Sequence, residues 1–236
     1  LLTKGLSIVD NKLTTLSDKI KSILEKKGHS EINISAVKGP CLAAGLANKM
    51  RTGTVIANKD LKQCQSLKNM ISTDYYSMEI SEDVPGVELS GAIKNIYSML
   101  IGASEGLSNS KASKEIQSKY FLNTAASLIH RSISEMVEFI LHYGGKSETV
   151  YGLAGLGDLY VSAIGGRNSL MGKYLGQGFL YKEAKEQFMK DVTVEGAQLA
   201  LEIGPKILED LSSKNFPLLF NMLNTICENK KLEINW

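Results

Sequence analysis

The sequence predicts a small α/β layer followed by a larger all-helical domain, so that the protein is mostly helical overall. Residues 1–84 alternate short runs of apolar and β-branched residues with helical patterns. This alternation is typical of a largely parallel sheet. Beyond Pro85, apolar residues recur at helical spacing towards the C-terminus. We therefore predict two domains, at residues 1–84 and 85–236.

The α/β part contains three further strands after an apolar start at Leu1-Leu2, which reads as the end of a buried strand. The predicted strands are Ile32–Val37, Thr52–Ala57 and Tyr75–Ile80, and the predicted helices are Leu16–Lys27, Cys41–Met50 with Pro40 at its first position, and Lys59–Met70. Since the chain starts inside a strand and without Met, we expect it to be the C-terminal part of a longer protein.

The helical part is predicted to contain five main helices, the second of which is long and apolar enough to be buried on several sides. These helices are Val87–Leu107, Ala112–Tyr143, Tyr181–Lys190, Glu195–Leu211 and Leu218–Glu228. Gly144-Gly145 should end the long helix, and Pro217 should begin the last one. Between them, residues 152–178 hold eight of the 21 glycines, with short helical pieces.

The composition is that of an ordinary globular protein, with 43% hydrophobic and 22% charged residues. A net charge of +2 gives no reason to expect nucleic acid or an anionic membrane as a partner, and no apolar run is long enough to span a bilayer. Three cysteines and three histidines lack the spacing of metal ligands, so no metal site is predicted. Unpaired cysteines fit a reducing compartment, and we expect a cytoplasmic protein.

Lys94 is the first candidate for chemistry. An apolar stripe marks the surrounding helix, and Lys94 lies away from it between Gly91 and Ser98, one turn back and one turn on. Such small neighbours leave open space around a lysine. Taken alone, Lys94 is as well explained by an ordinary solvated side chain, because long charged residues are mostly exposed.

Four other segments could contribute to a site. Thr3-Lys4-Gly5 and Gly39-Pro40-Cys41 lie where predicted strands end, which is where ligands bind in open α/β folds. The glycines of Gly152–Gly157 could allow a close backbone approach that places Asp158. Gly165-Gly166-Arg167-Asn168 is a turn that presents a guanidinium, which suits phosphate. Each has an ordinary alternative: a loop lysine, a tight turn, an N-cap aspartate and an exposed arginine.

The order of these segments carries more information than any one of them. Read as TKG, GPCLA, ELSGAIKN, GLGDL, GGRN and Val194-Glu195-Gly196, the chain resembles the NAD(P)-dependent glycerol-3-phosphate dehydrogenases over nearly its whole length. ELSGAIKN and GLAGLGDL are the most specific parts. The resemblance implies the second half of a Rossmann-type domain, followed by a helical domain like that of 6-phosphogluconate dehydrogenase.

The resemblance also implies roles for individual residues. Lys94 corresponds to the proton acceptor and Lys4 to a lysine between cofactor and substrate. Asp158 matches a position on the substrate side, from which it would orient Lys94. The positions expected to bind substrate are Asn95, Arg167, Asn168, Gly166, Gly39 and Cys41. Those expected to bind the cofactor, NAD or NADP, are Lys4, Ala43, Arg167 and Glu195.

The activity implied is hydride transfer between NAD(P) and the C2 carbon of sn-glycerol 3-phosphate or dihydroxyacetone phosphate, in a homodimer that feeds glycerophospholipid synthesis. Two alternatives stay open at this point. Without the glycine-rich pyrophosphate loop, the chain could be a folded, non-catalytic helical domain that dimerises. It could also belong to a related dehydrogenase that acts on another hydroxy acid, although Arg167-Asn168 favours a phosphorylated substrate.

Overall fold

The computed structural model describes residues 1–107 and 114–234. Its contacts divide the chain into two compact units: Leu1–Ala92 with Met136–Asp158, and Ile93–Glu135 with the chain from Leu159 onwards. A small sheet region followed by a mostly helical region is the fold class that the sequence predicts. The domain boundary between residues 84 and 85 stays a prediction.

The first unit opens with a β-hairpin that the sequence analysis did not predict. Strands β1 (Leu6–Val9) and β2 (Lys12–Thr15) pair antiparallel. The turn residues Asp10 and Asn11 have φ of 49° and 59°. A two-residue loop with positive φ at both positions matches the twist of a hairpin, and Asp and Asn tolerate it better than most residues.

The sheet of the first unit has three strands in the order β3 (Ala36–Lys38), β4 (Thr52–Ala57) and β5 (Tyr76–Ser81). β4 and β5 pair parallel, as predicted, through the connecting helix α3 (Leu61–Ile71). β3 pairs antiparallel to β4, however, so the prediction of a parallel sheet is wrong for this pair. The chain turns directly after β3 at Gly39, which has φ +136°, and the connection to β4 holds only the five-residue helix α2.

Leu1-Leu2, predicted to end a strand, is not assigned as one, but Leu1 is hydrogen-bonded to the residues on either side of Ala36 in β3. The Leu1 nitrogen donates to the Ser35 carbonyl at 2.6 Å, and the Val37 N–H donates to the Leu1 carbonyl at 3.0 Å. These two bonds flank Ala36 in the pattern of a parallel pair. The segment that carries Lys4 is thereby attached to the sheet.

Two helices precede β4. Helix α1 (Leu16–Lys26) matches its prediction and is capped by the Thr15 side chain. Helix α2 spans only Ala43–Ala47 with Leu42 as its N-cap, so the predicted helix over Cys41–Met50 is too long and Pro40 lies outside it. Met50 instead accepts a hydrogen bond from Thr52 as the chain enters β4.

Nine helices and one π-helical turn follow among the described residues. They are α4 (Val84–Gly102), α5 (Ser104–Leu107), α6 (Lys114–His142), α7 (Ser147–Tyr151), the π-turn (Leu153–Gly157), α8 (Asp158–Gly165), α9 (Arg167–Gly176), α10 (Tyr181–Phe188), α11 (Glu195–Asp210) and α12 (Pro217–Cys227). Gly144, with φ +82°, follows the end of α6, and Pro217 begins α12, both as predicted. The predicted start of the long helix at Ala112 lies outside the described residues. None of the described helices is both long and apolar enough to cross a bilayer.

The start of α4 lies before the predicted helix start at Val87. The helix begins at Val84, and the Asp83 carboxylate accepts the Gly86 N–H at 3.0 Å. Proline is tolerated here because the first turn has no helical acceptors for its N–H groups. Asp83 also accepts the Lys146 N–H at 2.9 Å and the Thr149 hydroxyl at 2.6 Å, and so fixes the start of α7 to α4.

In the second unit, glycines allow α4 and α9 to cross in backbone contact. A Cβ atom on Gly172 would lie 1.9 Å from the Met99 carbonyl oxygen, and one on Gly102 would lie 2.2 Å from the Ser169 carbonyl oxygen. No other residue type fits these positions without moving a helix. The crossing places the N-terminus of α9, with Arg167 and Asn168, beside α4.

Candidate active site

The first unit brings together Lys4 and Asp158. The Lys4 ammonium donates to the Asp158 carboxylate at 2.6 Å, and the two side chains are 23% and 3% exposed. Asp158 begins α8, directly after the π-turn. A Cβ atom on Gly155 would lie 2.1 Å from the Val150 carbonyl oxygen, which confirms that a glycine permits a close backbone approach just before Asp158.

A second pair of charges in this unit was not predicted. Lys38 ends β3 and Glu88 lies in α4, and they are 2% and 1% exposed. Glu88 accepts hydrogen bonds from the N–H and the hydroxyl of Ser17, at the start of α1. Burial lowers the pKa of Lys38, Glu88 and Asp158 oppose that shift, and Lys4 adds to it. The four charged side chains thus belong to one electrostatic group.

The segment Gly39–Ala43 of the first unit contributes mainly backbone. Gly39 has φ +136°, and a Cβ atom there would lie 3.0 Å from the Thr54 Cα. Cys41 is half-buried, and Ala43 is exposed as the first residue of α2. Pro40 lies 3.6 Å from the position of a Cβ on Gly157, so this turn packs beside the residue that precedes Asp158.

Lys94 lies in the second unit and is buried, with 3% exposure, rather than solvated. Its ammonium donates a short hydrogen bond to the Ser162 hydroxyl of α8. The open space inferred from its small neighbours is not there. In the first unit, the Lys38 side chain fills the space beside Gly91, and in the second the Ser98 hydroxyl bonds to the Asn95 carbonyl at 2.9 Å.

Asn95 and Asn168 are joined in a buried network of the second unit. The Asn168 amide donates to the Asn95 side-chain oxygen at 3.1 Å, and its own oxygen accepts the Gly196 N–H at 2.8 Å. A Cβ on Gly196 would lie 2.4 Å from the Asn95 carbonyl oxygen, so only glycine allows this approach. The network fixes the first turns of α9 and α11 against α4.

Arg167 is the most accessible of the predicted residues in the second unit. Its guanidinium donates to the Glu195 carboxylate at 2.9 Å, and the two side chains are 55% and 46% exposed. Gly166 is the N-cap of α9, and no atom lies within 4 Å of the place where a Cβ on Gly165 would stand. The turn therefore presents a cationic side chain at the start of α9, where no side chain caps the helix.

Three residues of these groups escaped the sequence analysis as participants. Ser162 stands one helical turn after Asp158 in α8, a spacing that could have indicated it. Lys38 immediately precedes the Gly39-Pro40-Cys41 segment, and its place just after a predicted strand could have indicated it. Nothing in the sequence shows that Glu88 meets Ser17, because that contact joins elements 71 residues apart.

Comparison with known proteins supports one family throughout. Residues 83–234 match the family model described as NAD-dependent glycerol-3-phosphate dehydrogenase C-terminus. The NADP(+)-dependent glycerol-3-phosphate dehydrogenase of Archaeoglobus fulgidus is 30% identical, over 99% of this chain and 67% of its own length. The glycerol-3-phosphate dehydrogenase [NAD(P)+] of Mesoplasma florum is 34% identical, over 93% of this chain and 62% of its own.

Solved structures agree. A glycerol-3-phosphate dehydrogenase from Coxiella burnetii superposes with a TM-score of 0.77 at 26% identity, over 97% of this chain and 64% of that one. A Plasmodium falciparum glycerol-3-phosphate dehydrogenase, at 21% identity and a TM-score of 0.79, has the same fold. The chain thus spans about two thirds of the length of these relatives. It belongs to the NAD-dependent glycerol-3-phosphate dehydrogenase family, and it carries the C-terminal region that defines the family model.

Proposed function

We propose that the protein containing this chain interconverts sn-glycerol 3-phosphate and dihydroxyacetone phosphate with NAD or NADP. The observation that carries the proposal is a buried lysine, Lys94, hydrogen-bonded to the Ser162 hydroxyl within a chain of this family. Oxidation of a secondary alcohol requires a base for the hydroxyl proton, and a lysine can serve when its surroundings favour the neutral form.

In this proposal Lys94 takes the hydroxyl proton during oxidation and returns it during reduction. Ser162 holds the lysine nitrogen in place before the substrate arrives, since its hydroxyl can both accept and donate. Positioned acid–base groups of this kind contribute roughly a hundredfold to ten-thousandfold in rate.

Lys4 and Asp158 are proposed to act as a pair. Asp158 is almost fully buried and holds the Lys4 ammonium at 2.6 Å, while Lys4 keeps part of its surface exposed. The accessible part of an ammonium held in this way can donate to the substrate or to the cofactor. Asp158 is then the residue that orients this lysine.

Arg167 and the turn before it are proposed to bind the substrate phosphate. An arginine presents a rigid fork of donors, and only part of it is occupied by Glu195. Gly166 leaves the first N–H groups of α9 accessible to an anion. Asn168 and Asn95 support this turn from its buried side. Because their side chains are hydrogen-bonded to each other, we assign them the role of positioning the turn.

The cofactor would meet only part of its binding site on this chain. The sequence has no G-x-G-x-x-G turn to hold a pyrophosphate. The residues proposed for the remainder are Lys4, Ala43, Arg167 and Glu195, while Gly39 and Cys41 are proposed for the substrate. The open space beside Gly165 and the half-exposed Arg167 fit an anionic ligand. NAD or NADP, when bound, supplies the hydride transfer.

The family also suggests a homodimer in the cytoplasm that supplies glycerol 3-phosphate for phospholipid synthesis. No described residue tests these points, and light scattering on the purified protein measures the first of them directly. A mass of two chains is the expected result.

Activity is tested with the protein in its natural length and, in parallel, with the 236-residue chain. Oxidation of NADH or NADPH is followed with dihydroxyacetone phosphate and with unphosphorylated dihydroxyacetone. We expect the full-length protein to reduce the phosphorylated substrate much faster than the unphosphorylated one. Equal rates with both substrates would favour another hydroxy-substrate dehydrogenase, and no activity at either length would favour a purely structural helical domain.

A further inference from the structure

Lys38 is a buried lysine that the proposed reaction does not use. It is 2% exposed, and its aliphatic stem packs on Gly91, where a Cβ atom would lie 2.8 Å from the Lys38 Cδ. Lysine is almost never fully buried unless its charge is paired. A methionine would fill the same space without bringing a charge, so packing alone does not explain the residue.

The hydrogen bonds of Lys38 do not explain it either. Its ammonium donates to the Leu1 carbonyl at 3.3 Å, which is a long contact. That carbonyl already accepts the Val37 N–H at 3.0 Å. The backbone would remain satisfied without the lysine, and what the ammonium adds is charge.

Three charged side chains of the first unit interact electrostatically with Lys38: Glu88 of α4, Asp158 of α8 and Lys4 from the segment before β1. The amino group of Leu1 also lies within the influence of the Lys38 charge. Ser17 holds Glu88 in a fixed position through its N–H and its hydroxyl. Lys4 and Asp158 form their own ion pair. Lys38 therefore lies in a fixed electrostatic group of two cations and two anions, in which one pair contains the proposed site residues.

We propose that Lys38 is a positioning residue for the Lys4–Asp158 pair. Its charge acts on both partners, and its ammonium is placed beside the segment that carries Lys4 by its contact with the Leu1 carbonyl. The inference rests on the proposed function, because it assigns Lys38 to the same reaction. Lowering of the Lys38 pKa by burial supports the idea that this cation is retained for function at the expense of stability.

The test compares Lys38→Met, which keeps the stem, with Lys62→Met, which removes an exposed lysine of α3. For Lys38→Met we expect a melting temperature at or above that of the parent and a kcat lowered about tenfold to a hundredfold. KM for dihydroxyacetone phosphate should change by no more than about twofold, since placement and not binding is lost. A purely structural role would give the reverse: a lower melting temperature with kcat unchanged per folded molecule.

Glu88→Gln makes the opposite change, since it removes an anion where Lys38→Met removes a cation. The amide keeps the shape of the side chain, and its oxygen can still accept a hydrogen bond from Ser17. The pH profile of kcat/KM should move upwards in Lys38→Met, where a cation is lost, and downwards in Glu88→Gln, where an anion is lost. The double variant should fold stably yet keep a low kcat. Full recovery of kcat in the double variant would mean that Lys38 and Glu88 only neutralise each other, which overturns the proposal.

A readout without turnover separates this inference from the proposed function. Nuclear magnetic resonance of ¹³C-labelled lysine follows the titration of Lys38 in the parent and in Lys4→Met, with Lys38→Met to assign the signal. Since Lys4 contributes to lowering the pKa of Lys38, an upward shift of the Lys38 midpoint in Lys4→Met supports the electrostatic link, and an unchanged midpoint contradicts it, whether or not the parent protein reduces dihydroxyacetone phosphate.

Discussion

Lys4 and Asp158 form an ion pair of 2.6 Å although 154 residues separate them in the sequence. Lys4 precedes the first hairpin, and Asp158 begins α8. The pair is asymmetric, because Asp158 is nearly buried while Lys4 retains contact with solvent. Loss of Asp158 would therefore leave a lysine that water can still solvate.

Asp158→Asn is expected to reduce activity much more than stability. The amide keeps the size of the side chain but cannot hold the ammonium by charge, so Lys4 becomes free to move. We expect kcat/KM to fall by about a hundredfold, a loss typical of misplaced catalytic groups. The free energy of unfolding should change by less than about 2 kcal/mol, since partly exposed ion pairs contribute little. Urea titration and steady-state kinetics measure the two effects, and Asp191→Asn, on an exposed carboxylate, is the control.

Lys94→Ala in the full-length protein is expected to lower kcat by at least about a hundredfold, because the proposed base is removed. Ser162 is only half-buried, so water can solvate the hydroxyl once the ammonium is gone, and the circular dichroism spectrum should stay that of a folded protein. Lys190→Ala, at an exposed site on the same unit, serves as the control. Near-normal turnover by a folded Lys94→Ala protein would exclude Lys94 as the base.

Arg167→Gln is expected to distinguish phosphate binding from catalysis. The side chain is 55% exposed and its contact is with Glu195, so folding should be unaffected. Loss of a charge-assisted fork should raise KM for dihydroxyacetone phosphate by about tenfold or more, which corresponds to the 1.5–3 kcal/mol of such a hydrogen bond. The slow rate with unphosphorylated dihydroxyacetone should not change. A similar loss with both substrates would place Arg167 at the reacting centre instead.

The sequence predicts helices more successfully than sheet pairing, for a physical reason. The helix patterns of Leu16–Lys26 and Pro217–Cys227 are local, since apolar spacing and the cap or proline lie within the segment. The antiparallel pairing of β3 with β4 depends on the path of the chain after Gly39. The spacing of apolar residues does not predict that path. The hairpin before α1 was missed because its turn, Asp10-Asn11, lacks the glycine that usually marks one.

The candidate site shows the same division. The order of the motifs predicts Lys4, Lys94, Asp158 and Arg167 as site residues. In the structure each of them contacts a charged or polar side chain. Burial is not readable from these motifs. From the sequence, Lys94 could equally be solvated, and the space beside Gly91 could be empty. In the structure Lys94 is buried and Lys38 fills that space, and both results come from contacts with elements distant in the sequence.

Gly172→Ala is expected to destabilise the second unit. The added methyl would lie 1.9 Å from the Met99 carbonyl oxygen, so α9 must move away from α4. Overpacking of this kind typically lowers the free energy of unfolding by about 1–3 kcal/mol. Gly165→Ala is the matched control, since no atom lies within 4 Å of its added Cβ. If both variants unfold at the same denaturant concentration, the close crossing of the two helices is contradicted.

Glu135 is expected to make stability depend on pH, through its role at the start of α12. Its two carboxylate oxygens accept the N–H groups of Leu218 at 2.8 Å and Leu219 at 2.9 Å, and the Tyr97 hydroxyl donates to it at 3.1 Å. Burial raises the pKa of Glu135, while these three hydrogen bonds and Arg131 oppose the shift. The folded protein therefore holds this proton to a higher pH than the unfolded chain does.

The sign of the effect follows from that difference. The stabilising contribution of protonated Glu135 is fully present below the pKa of a glutamate in the unfolded chain, about 4.3. It is lost as pH rises through the raised pKa of Glu135 in the folded protein. In Glu135→Gln the contribution is absent, and the amide N–H₂ group opposes one of the two backbone donors, which should lower stability by about 1–3 kcal/mol. The parent's advantage over this variant should be largest near pH 4.5 and smaller at pH 7.5. Urea unfolding across this range measures it, with Glu202→Gln at an exposed site of α11 as control. An advantage that grows with pH would mean that the N–H groups of α12 outweigh burial and lower the pKa of Glu135.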